Sequence, residues 1–498
     1  MSGTGIAPGH RDRDRTLSSK PPLTGTACDA RVRDLGSRWL FGLFSALLAV
    51  SLILHQLWWD GLETDSLHAV VVLAALWLLV RPTSVVRFAM MLAAEVVAVG
   101  RDLPYVGDHT LVVFVTGLAV LALLGWTCLR SRRLPAAGEL FDTIAPFLRV
   151  QLIIVYAAAA LSKLNTDFLD PQTSCAGPMS QKIIWFDPTL IGGTWRITPS
   201  IWATVAIEIA LPILLAVPRT RVVGLVLGCA FHVVLALAGN VPFSALALAL
   251  YVAFLPMHTV PALHSVLLRH RRFRSVTRSV ATPIASLVLF VVGVGLWLGA
   301  AQVFGRDPWS WSDGLGGLAR LAIVVMVGLA GFAFVTGRRR GGTAEYAHPR
   351  SGRHLGHPIL VVAVALLLAN AACPYLGLRS ESTFTMFSNL RTEQGAWNHV
   401  LIPESVRVFG LQDRLVTVTT TDDPALAART SSGTELTRFE LNRYLRSHPR
   451  AEVTWSEAGA DGVVTRSRGP TATAPRQTLA EKLVHFKDLR PRDDGDCG

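Results

Sequence analysis

Charged residues are scarce in this chain. Only 16% of its 498 residues are Asp, Glu, Lys or Arg, whereas 51% are hydrophobic, and ordinary soluble domains carry roughly 25% charged residues. This balance excludes an ordinary soluble protein. Apolar stretches of roughly 18–22 residues recur along the sequence, about the length that crosses a bilayer. We therefore expect a polytopic membrane protein whose net charge of +12 does not indicate a nucleic-acid partner, because most of its basic residues lie in short loops between the apolar runs.

The sequence also has little that indicates closely spaced cysteine ligands or a signal peptide. The six cysteines form no CxxC pair and no zinc spacing, so no metal site is expected. Residues 1–37 are polar and basic, without a short apolar core followed by a cleavage site, which is unlike a signal peptide. We expect these residues to form a disordered tail in the cytoplasm.

The apolar runs predict an all-α bundle of about eleven transmembrane helices over residues 38–378. The second run is short and the third contains Arg87 and Glu95, so a re-entrant pair is the alternative for these two. The predicted spans are 38–59, 67–80, 84–100, 109–129, 143–164, 197–217, 221–239, 241–257, 280–304, 315–337 and 357–376.

The distribution of basic residues predicts the orientation of this bundle. One set of loops contains seventeen arginines, whereas the opposite set contains four basic residues and several aspartates. Because basic loops stay on the cytoplasmic side, we expect a multi-pass protein of the cell membrane with a cytoplasmic N-terminus. An odd number of spans then places the C-terminus outside.

Residues 379–498 are more polar and predict a small α+β domain outside the membrane. The run at 413–423 is β-branched and alternating, which indicates a strand. The run at 435–449 has helical spacing and ends at Pro449. The last pattern, around Gly459 and Gly462, predicts a β-hairpin.

Several ionisable side chains interrupt the apolar runs. Lys163 ends the fifth span, at the outer face in the predicted orientation. Charged groups in hydrocarbon usually face the bundle interior and mark a site, so Lys163 is the central candidate. Snorkelling of its ammonium to the headgroups is the simpler alternative, a buried histidine often only binds a carbonyl, and Glu208 has Arg149 as an alternative partner. The further candidates to line one outward cavity are His55, Glu95, Tyr156, Glu208 and His232.

Three stretches resemble the HTTM (horizontally transferred transmembrane) domain family, which belongs to the vitamin K-dependent γ-carboxylase-like superfamily. The first is "LIIVYAAAALSKLNTDFLDPQTSCA", with Tyr156, Lys163 and Asn165. The second is "EIALPILLAVPRTRVVGLVLGCAFHVVLAL", with Glu208 and His232. The third is "PYLGLRSESTFTMFSNLRTEQGAWNH", whose "TMFSNL" is similar to an element of the carboxylase. The resemblance covers roughly residues 35–400.

The resemblance implies a role for Lys163 as the base that deprotonates a reduced quinone of the vitamin K type, with His232 assisting. In the eukaryotic carboxylase the quinol then reacts with oxygen, and a glutamate of the substrate peptide takes up CO2. A lysine acts as a base only where a dry site lowers its pKa. This chain departs from that enzyme, because Ser162 stands where the carboxylase has a second lysine and because the outer domain is much smaller.

Two functions are therefore expected from the sequence. One is a quinol-dependent, carboxylase-like enzyme or oxidoreductase. The other is a membrane accessory protein, without catalysis, that matures or exports a secreted peptide. A transporter ranks last, because no inverted repeat or matched pair of broken spans is apparent.

The cysteines predict one bridge. Cys175 and Cys373 both lie near the outer face, where disulfides persist, so we expect them to pair. Cys497 is the competing partner, since it is also outside.

Overall fold

The computed structural model describes residues 25–59, 66–183, 194–238, 240–255, 356–457, 464–468 and 479–490. It consists of a helical bundle followed by a small sheet domain. The helices of the bundle are α1 Gly25–Trp59, α2 Ser66–Val80, α3 Val85–Asp102, α4 Asp108–Ser131, α5 Ala137–Ser162, α6 Thr166–Leu169, α7 Ala176–Ile183, α8 Thr194–Ala216, α9 Arg221–Leu237, α10 Val241–Tyr251 and α11 Pro358–Leu376.

Five helices in the described part are long and apolar enough to cross a membrane: Leu35–Gln56, Asp108–Ser131, Ala137–Ser162, Ile197–Ala216 and Pro358–Leu376. Three further apolar helices are shorter. Nine of the predicted spans coincide with helices, and the other two, 280–304 and 315–337, lie outside the described residues. The helices are thus those of a membrane protein in length and composition, while the count of about eleven spans stays a prediction.

The start of α1 corrects the predicted tail. The helix begins at Gly25, so residues 25–37 are helical rather than disordered, and residues 1–24 lie outside the described residues. The segment "ACDARVRD" is polar, but alanine and arginine are strong helix formers. The polar residues therefore precede the apolar run but belong to the same helix.

Aromatic rings fill the core of the bundle where α1, α3 and α5 meet. Phe88 of α3 lies edge-on to Phe41, with ring centroids 5.2 Å apart, and to Phe44 at 5.9 Å. All three rings are fully buried, and such edge-to-face pairs are favourable beyond the area they bury. α1 also packs along α10, and α8 packs against α5 and α9, so α5 lies between the aromatic core and α8.

The C-terminal region forms an antiparallel sheet with strand order β2-β1-β3-β4. Its elements are β1 Leu415–Thr421, α12 Pro424–Arg429, β2 Glu435–Thr437, α13 Arg438–Ser447, β3 Glu452–Glu457, β4 Val464–Arg468 and α14 Leu479–Leu483. The predicted strand is confirmed as β1, and the predicted hairpin as the β3–β4 pair. The predicted helix is confirmed only from Arg438. Leu436 instead lies in β2 opposite Val416, because Thr437 caps the helix by accepting a hydrogen bond from the Glu440 amide at 3.2 Å.

Candidate functional site

Lys163 follows the last residue of α5 and is buried, with 4% of its surface exposed. Its ammonium lies 3.0 Å from the Glu208 carboxylate of α8 and donates to the Met386 carbonyl at 3.0 Å. Snorkelling is therefore wrong for this side chain. The alternative partner of Glu208 is also wrong, because Arg149 donates to the Ala253 carbonyl at 2.6 Å.

Asn165 sets the path of the chain just after Lys163. Its side-chain oxygen accepts from the Phe168 amide at 2.8 Å, which caps the short helix α6. Its side-chain nitrogen donates to the carbonyls of Ser162 at 2.7 Å and Ser388 at 2.5 Å. One buried amide thus ends α5, starts α6 and attaches both to the segment that follows α11.

That segment, residues 382–390, folds over the Lys163 loop and supplies the Met386 carbonyl. Asn389 accepts from the Cys175 amide at 2.8 Å and donates to the Thr173 carbonyl at 3.1 Å. Phe387 has φ of 50°, a left-handed conformation that is unusual for an aromatic residue. Such backbone strain often accompanies functional sites. Met386 was not among the sequence-based candidates, because a backbone carbonyl carries no residue-type signal; only the likeness of "TMFSNL" pointed to this segment.

A cavity of about 310 Å³ lies beside the Lys163–Glu208 pair. Its walls come from helices α5 to α10 and from residues 386–387, and its lining is predominantly apolar. Tyr156, Lys163 and Glu208 are three of its lining residues. The structure thus brings three of the sequence-predicted candidates to one predominantly apolar cavity with a buried ion pair in its wall.

His232 lies behind Tyr156 and does not line the cavity. The Tyr156 hydroxyl is 2.5 Å from His232 Nε2 and also forms a short hydrogen bond with the Tyr251 hydroxyl. His232 Nδ1 lies 3.4 Å from the Ser244 hydroxyl. His232 is fully buried and contacts the cavity lining through the Tyr156 hydroxyl and through the rings of Phe231 and Phe243.

His55 and Glu95 do not line this cavity. His55 Nδ1 lies 2.9 Å from His109 Nε2 of α4, and Glu95 is buried in α3. Both were placed by their depth in the membrane, and depth does not specify the side of the bundle that a helix occupies. α1 packs on α2, α5 and α10, whereas the cavity lies toward α8 and α9. The expectation that all the ionisable candidates line one cavity is therefore wrong for these two and for His232.

The predicted bridge between Cys175 and Cys373 is also wrong. Cys373 is a free thiol that donates to the Ala369 carbonyl at 3.2 Å, within its own helix. Cys175 is disulfide-bonded, so its bridge is not to Cys373. Within those residues, no group of three or more His, Cys, Asp or Glu side chains is arranged to hold a metal ion.

No protein-family model, curated protein or solved structure matches this chain. The likeness to the HTTM family therefore stays a prediction that rests on the residues around Lys163, Glu208 and 385–390.

Proposed function

We propose that the protein is an HTTM-like integral membrane protein that binds a reduced quinone in the cavity beside Lys163 and takes a proton from its hydroxyl group. The observation that supports this most is the Lys163–Glu208 ion pair in the wall of a predominantly apolar cavity. The residues of the resemblance also support it, since Tyr156, Lys163 and the 385–390 segment all meet at this cavity.

The cavity suits a lipid-soluble ring. Phe231, Phe243 and Phe387 contribute to its apolar wall, and apolar walls with a few placed polar groups are typical of small-molecule sites. Lys163 and Glu208 would bind the hydroxyl group. A reduced quinone would supply an acidic hydroxyl group and two electrons for oxygen.

Lys163 and Glu208 move the proton in two steps. The Glu208 carboxylate first takes a proton from the Lys163 ammonium, which leaves a neutral amine and a neutral acid. The low dielectric of a dry cavity favours this neutral pair relative to water. The Lys163 amine then takes the proton of the ligand hydroxyl, which restores the ammonium beside the new oxyanion. In the net transfer, the ligand hydroxyl loses one proton, Glu208 gains one proton, and Lys163 is an ammonium at the start and at the end.

Tyr156 and His232 form a hydrogen-bonded pair beside the site of proton transfer. Tyr156 lines the cavity and is fixed from behind by His232 Nε2. His232 is therefore a positioning residue, and its contribution is the orientation of the Tyr156 hydroxyl. Asn165 has the corresponding role for Lys163, because it fixes the end of α5.

The binding test uses the full chain in lipid nanodiscs without oxygen, titrated with a reduced vitamin K-type quinone. We expect wild-type protein to bind the quinol and to shift its absorbance to that of the quinolate. Lys163→Arg should abolish the shift, because a guanidinium does not release its proton at working pH. Lys482→Arg is the matched control, since Lys482 binds the Gly100 carbonyl away from the cavity. An unchanged shift in Lys163→Arg would contradict the proposal.

The second measurement concerns the chemistry after the proton transfer. With oxygen and labelled CO2, quinol-dependent incorporation of label into a glutamate-containing peptide would assign carboxylase activity. Peptide binding that is independent of quinol and of Lys163 would favour the accessory protein and overturn the enzymatic proposal.

The proposed orientation places the N-terminus in the cytoplasm of the cell and the cavity at the outer face. It is supported by the seventeen arginines in one set of loops. A reporter that is active only in the cytoplasm, fused after Gly498, should be silent. Strong reporter activity there would reverse the orientation.

A further inference from the structure

Residues 400–411, here called the apolar segment, expose an unusual number of large hydrophobic side chains. Six of them are between 41% and 71% exposed: Val400, Leu401, Val406, Val408, Phe409 and Leu411. Contiguous apolar patches on soluble surfaces are rare and usually mark a protein or membrane contact. The segment lies between α11 and the sheet domain, and it plays no part in the cavity.

Two backbone hydrogen bonds fix the position of the apolar segment relative to the ends of α5 and α11. At its start, the Val400 amide donates to the Leu164 carbonyl at 2.9 Å, just beyond the end of α5. Near its end, the Phe409 amide donates to the Leu376 carbonyl at 3.0 Å, at the last residue of α11. Both helices are long and apolar enough to span a membrane. The segment therefore lies across the ends of two membrane helices, at the level of the bilayer surface.

Gly377 allows the backbone of Phe409 to approach the end of α11 closely. It ends α11 with φ of 75°, in the left-handed region that favours glycine. A Cβ atom at this position would lie 2.1 Å from the Phe409 carbonyl oxygen. The end of α11 is thus shaped to hold the apolar segment against it.

The charged side chains of the apolar segment pair with each other and with Asp413, which lies just after the segment. Arg407 has only 11% of its side chain exposed, lies 3.4 Å from Glu404 and forms a close ion pair with Asp413. The Trp397 indole, just before the segment, donates to the Ile402 carbonyl at 2.8 Å. Because these polar groups satisfy one another, the outward surface of the segment is mainly apolar.

We infer that the apolar segment is inserted into the interfacial layer of the bilayer, where its six hydrophobic side chains contact lipid. The occupant is lipid rather than a protein because the surface continues from the ends of two membrane helices. Paired charges and outward apolar side chains also suit a layer between water and hydrocarbon. This inference depends on the membrane position of α5 and α11 and is independent of quinol chemistry.

The test uses the full chain in phosphatidylcholine vesicles that contain a photoactivatable lipid, with the reactive group in the upper acyl chain. After irradiation, mass spectrometry locates the lipid adducts. We expect adducts on residues 400–411 at a level within about twofold of that on the exposed face of α11, which includes Val361 and Val362. The exposed positions of β1, such as Thr420, should carry at least about tenfold less.

A double variant distinguishes insertion from general labelling. Leu401→Ser and Val408→Ser replace two side chains that are 64% and 71% exposed, so the fold should keep its unfolding midpoint. Adducts on the segment should fall at least about fivefold in this variant, while those on α11 stay constant. Adducts on α11 without adducts on the wild-type segment would overturn the inference. Cross-links from the segment to a second copy or to another protein, in place of lipid, would also overturn it.

Discussion

Two buried pairs of opposite charge in the described part of the chain differ in their surroundings. Lys163 and Glu208 have 4% and 9% of their side chains exposed, and Arg443 and Glu440 in the C-terminal domain have 2% and 1%. Burial alone therefore does not separate them. Pairs of this kind lose hydration on folding, and each keeps its charges only if further contacts compensate for that loss.

The pair in the C-terminal domain is enclosed by protein contacts. Arg443 donates to the Val484 carbonyl at 2.6 Å and lies 4.8 Å from the ring of Tyr105, while Glu440 accepts from the Phe486 amide at 3.0 Å. The Lys163 pair instead borders a cavity of about 310 Å³. The cavity beside Lys163 and Glu208, rather than their burial, makes that pair a candidate site. The Arg443–Glu440 pair has a structural role.

The largest effect on stability is expected from Arg443→Ala. The variant leaves the Glu440 carboxylate buried without its close cation, and breaking a buried pair in this way costs about 3–5 kcal/mol. Denaturant unfolding of the full chain, monitored through the C-terminal domain, measures the change. Arg446→Ala is the matched control, because Arg446 is 40% exposed and should change stability by less than about 1 kcal/mol. Equal costs for the two variants would contradict the structural role of Arg443.

Lys163→Met should destabilise the protein less than Arg443→Ala, by about 1–3 kcal/mol. The Glu208 carboxyl that remains beside the cavity can bind a proton, which reduces the cost of its burial. Quinol binding should nevertheless weaken at least about tenfold, or about 1.4 kcal/mol. Unfolding midpoints and quinol titrations of the same preparations check both parts. A cost as large as that of Arg443→Ala, with quinol binding intact, would remove the distinction between the two pairs.

Gly228→Ala tests the wall behind the cavity. An added Cβ atom would lie 2.0 Å from the Tyr251 hydroxyl, so α9 or the tyrosine must shift, at a cost of about 1–3 kcal/mol. The same shift should displace Tyr156 and weaken quinol binding. Gly125→Ala is the control, since nothing lies within 4 Å of its added Cβ. Similar unfolding midpoints for the two variants would show that the Tyr251 contact is not tight.

His485 gives the C-terminal domain a pH dependence. Burial lowers the pKa of His485 well below its usual value, and the charges of Arg443, Arg379 and Arg429 lower it further. The unfolded chain therefore binds a proton near pH 6.5, whereas the folded chain does not. Stability is complete above that pH and decreases below it.

The effect is measured as the unfolding midpoint of the C-terminal domain between about pH 8 and about pH 5. His485→Gln should flatten the decrease on the acid side relative to wild type, because glutamine does not titrate. Parallel curves for the two proteins would exclude His485 as the cause. This is the smallest of the expected effects.

The secondary structure was accessible from the sequence because its signals are local. Nine predicted spans coincide with described helices, and β1 and the β3–β4 hairpin follow the alternating runs at 413–423 and around 459–462. The misassignments lie at boundaries. Gly25–Ser37 continues α1 without being apolar, and Glu435–Thr437 pairs with β1 before the helix starts.

The order of the amino acids alone specifies the chemistry available near the membrane: long apolar helices and a few ionisable side chains at specific depths, with Lys163, Tyr156 and Glu208 among them. Which of these side chains meet depends on the tertiary structure. His55 lies on another side of the bundle, Cys373 is not bridged to Cys175, and Lys163 binds the Met386 carbonyl as well as Glu208. The physical reason is that helix depth follows from hydropathy along one chain segment, whereas helix neighbours follow from packing between segments far apart in the chain.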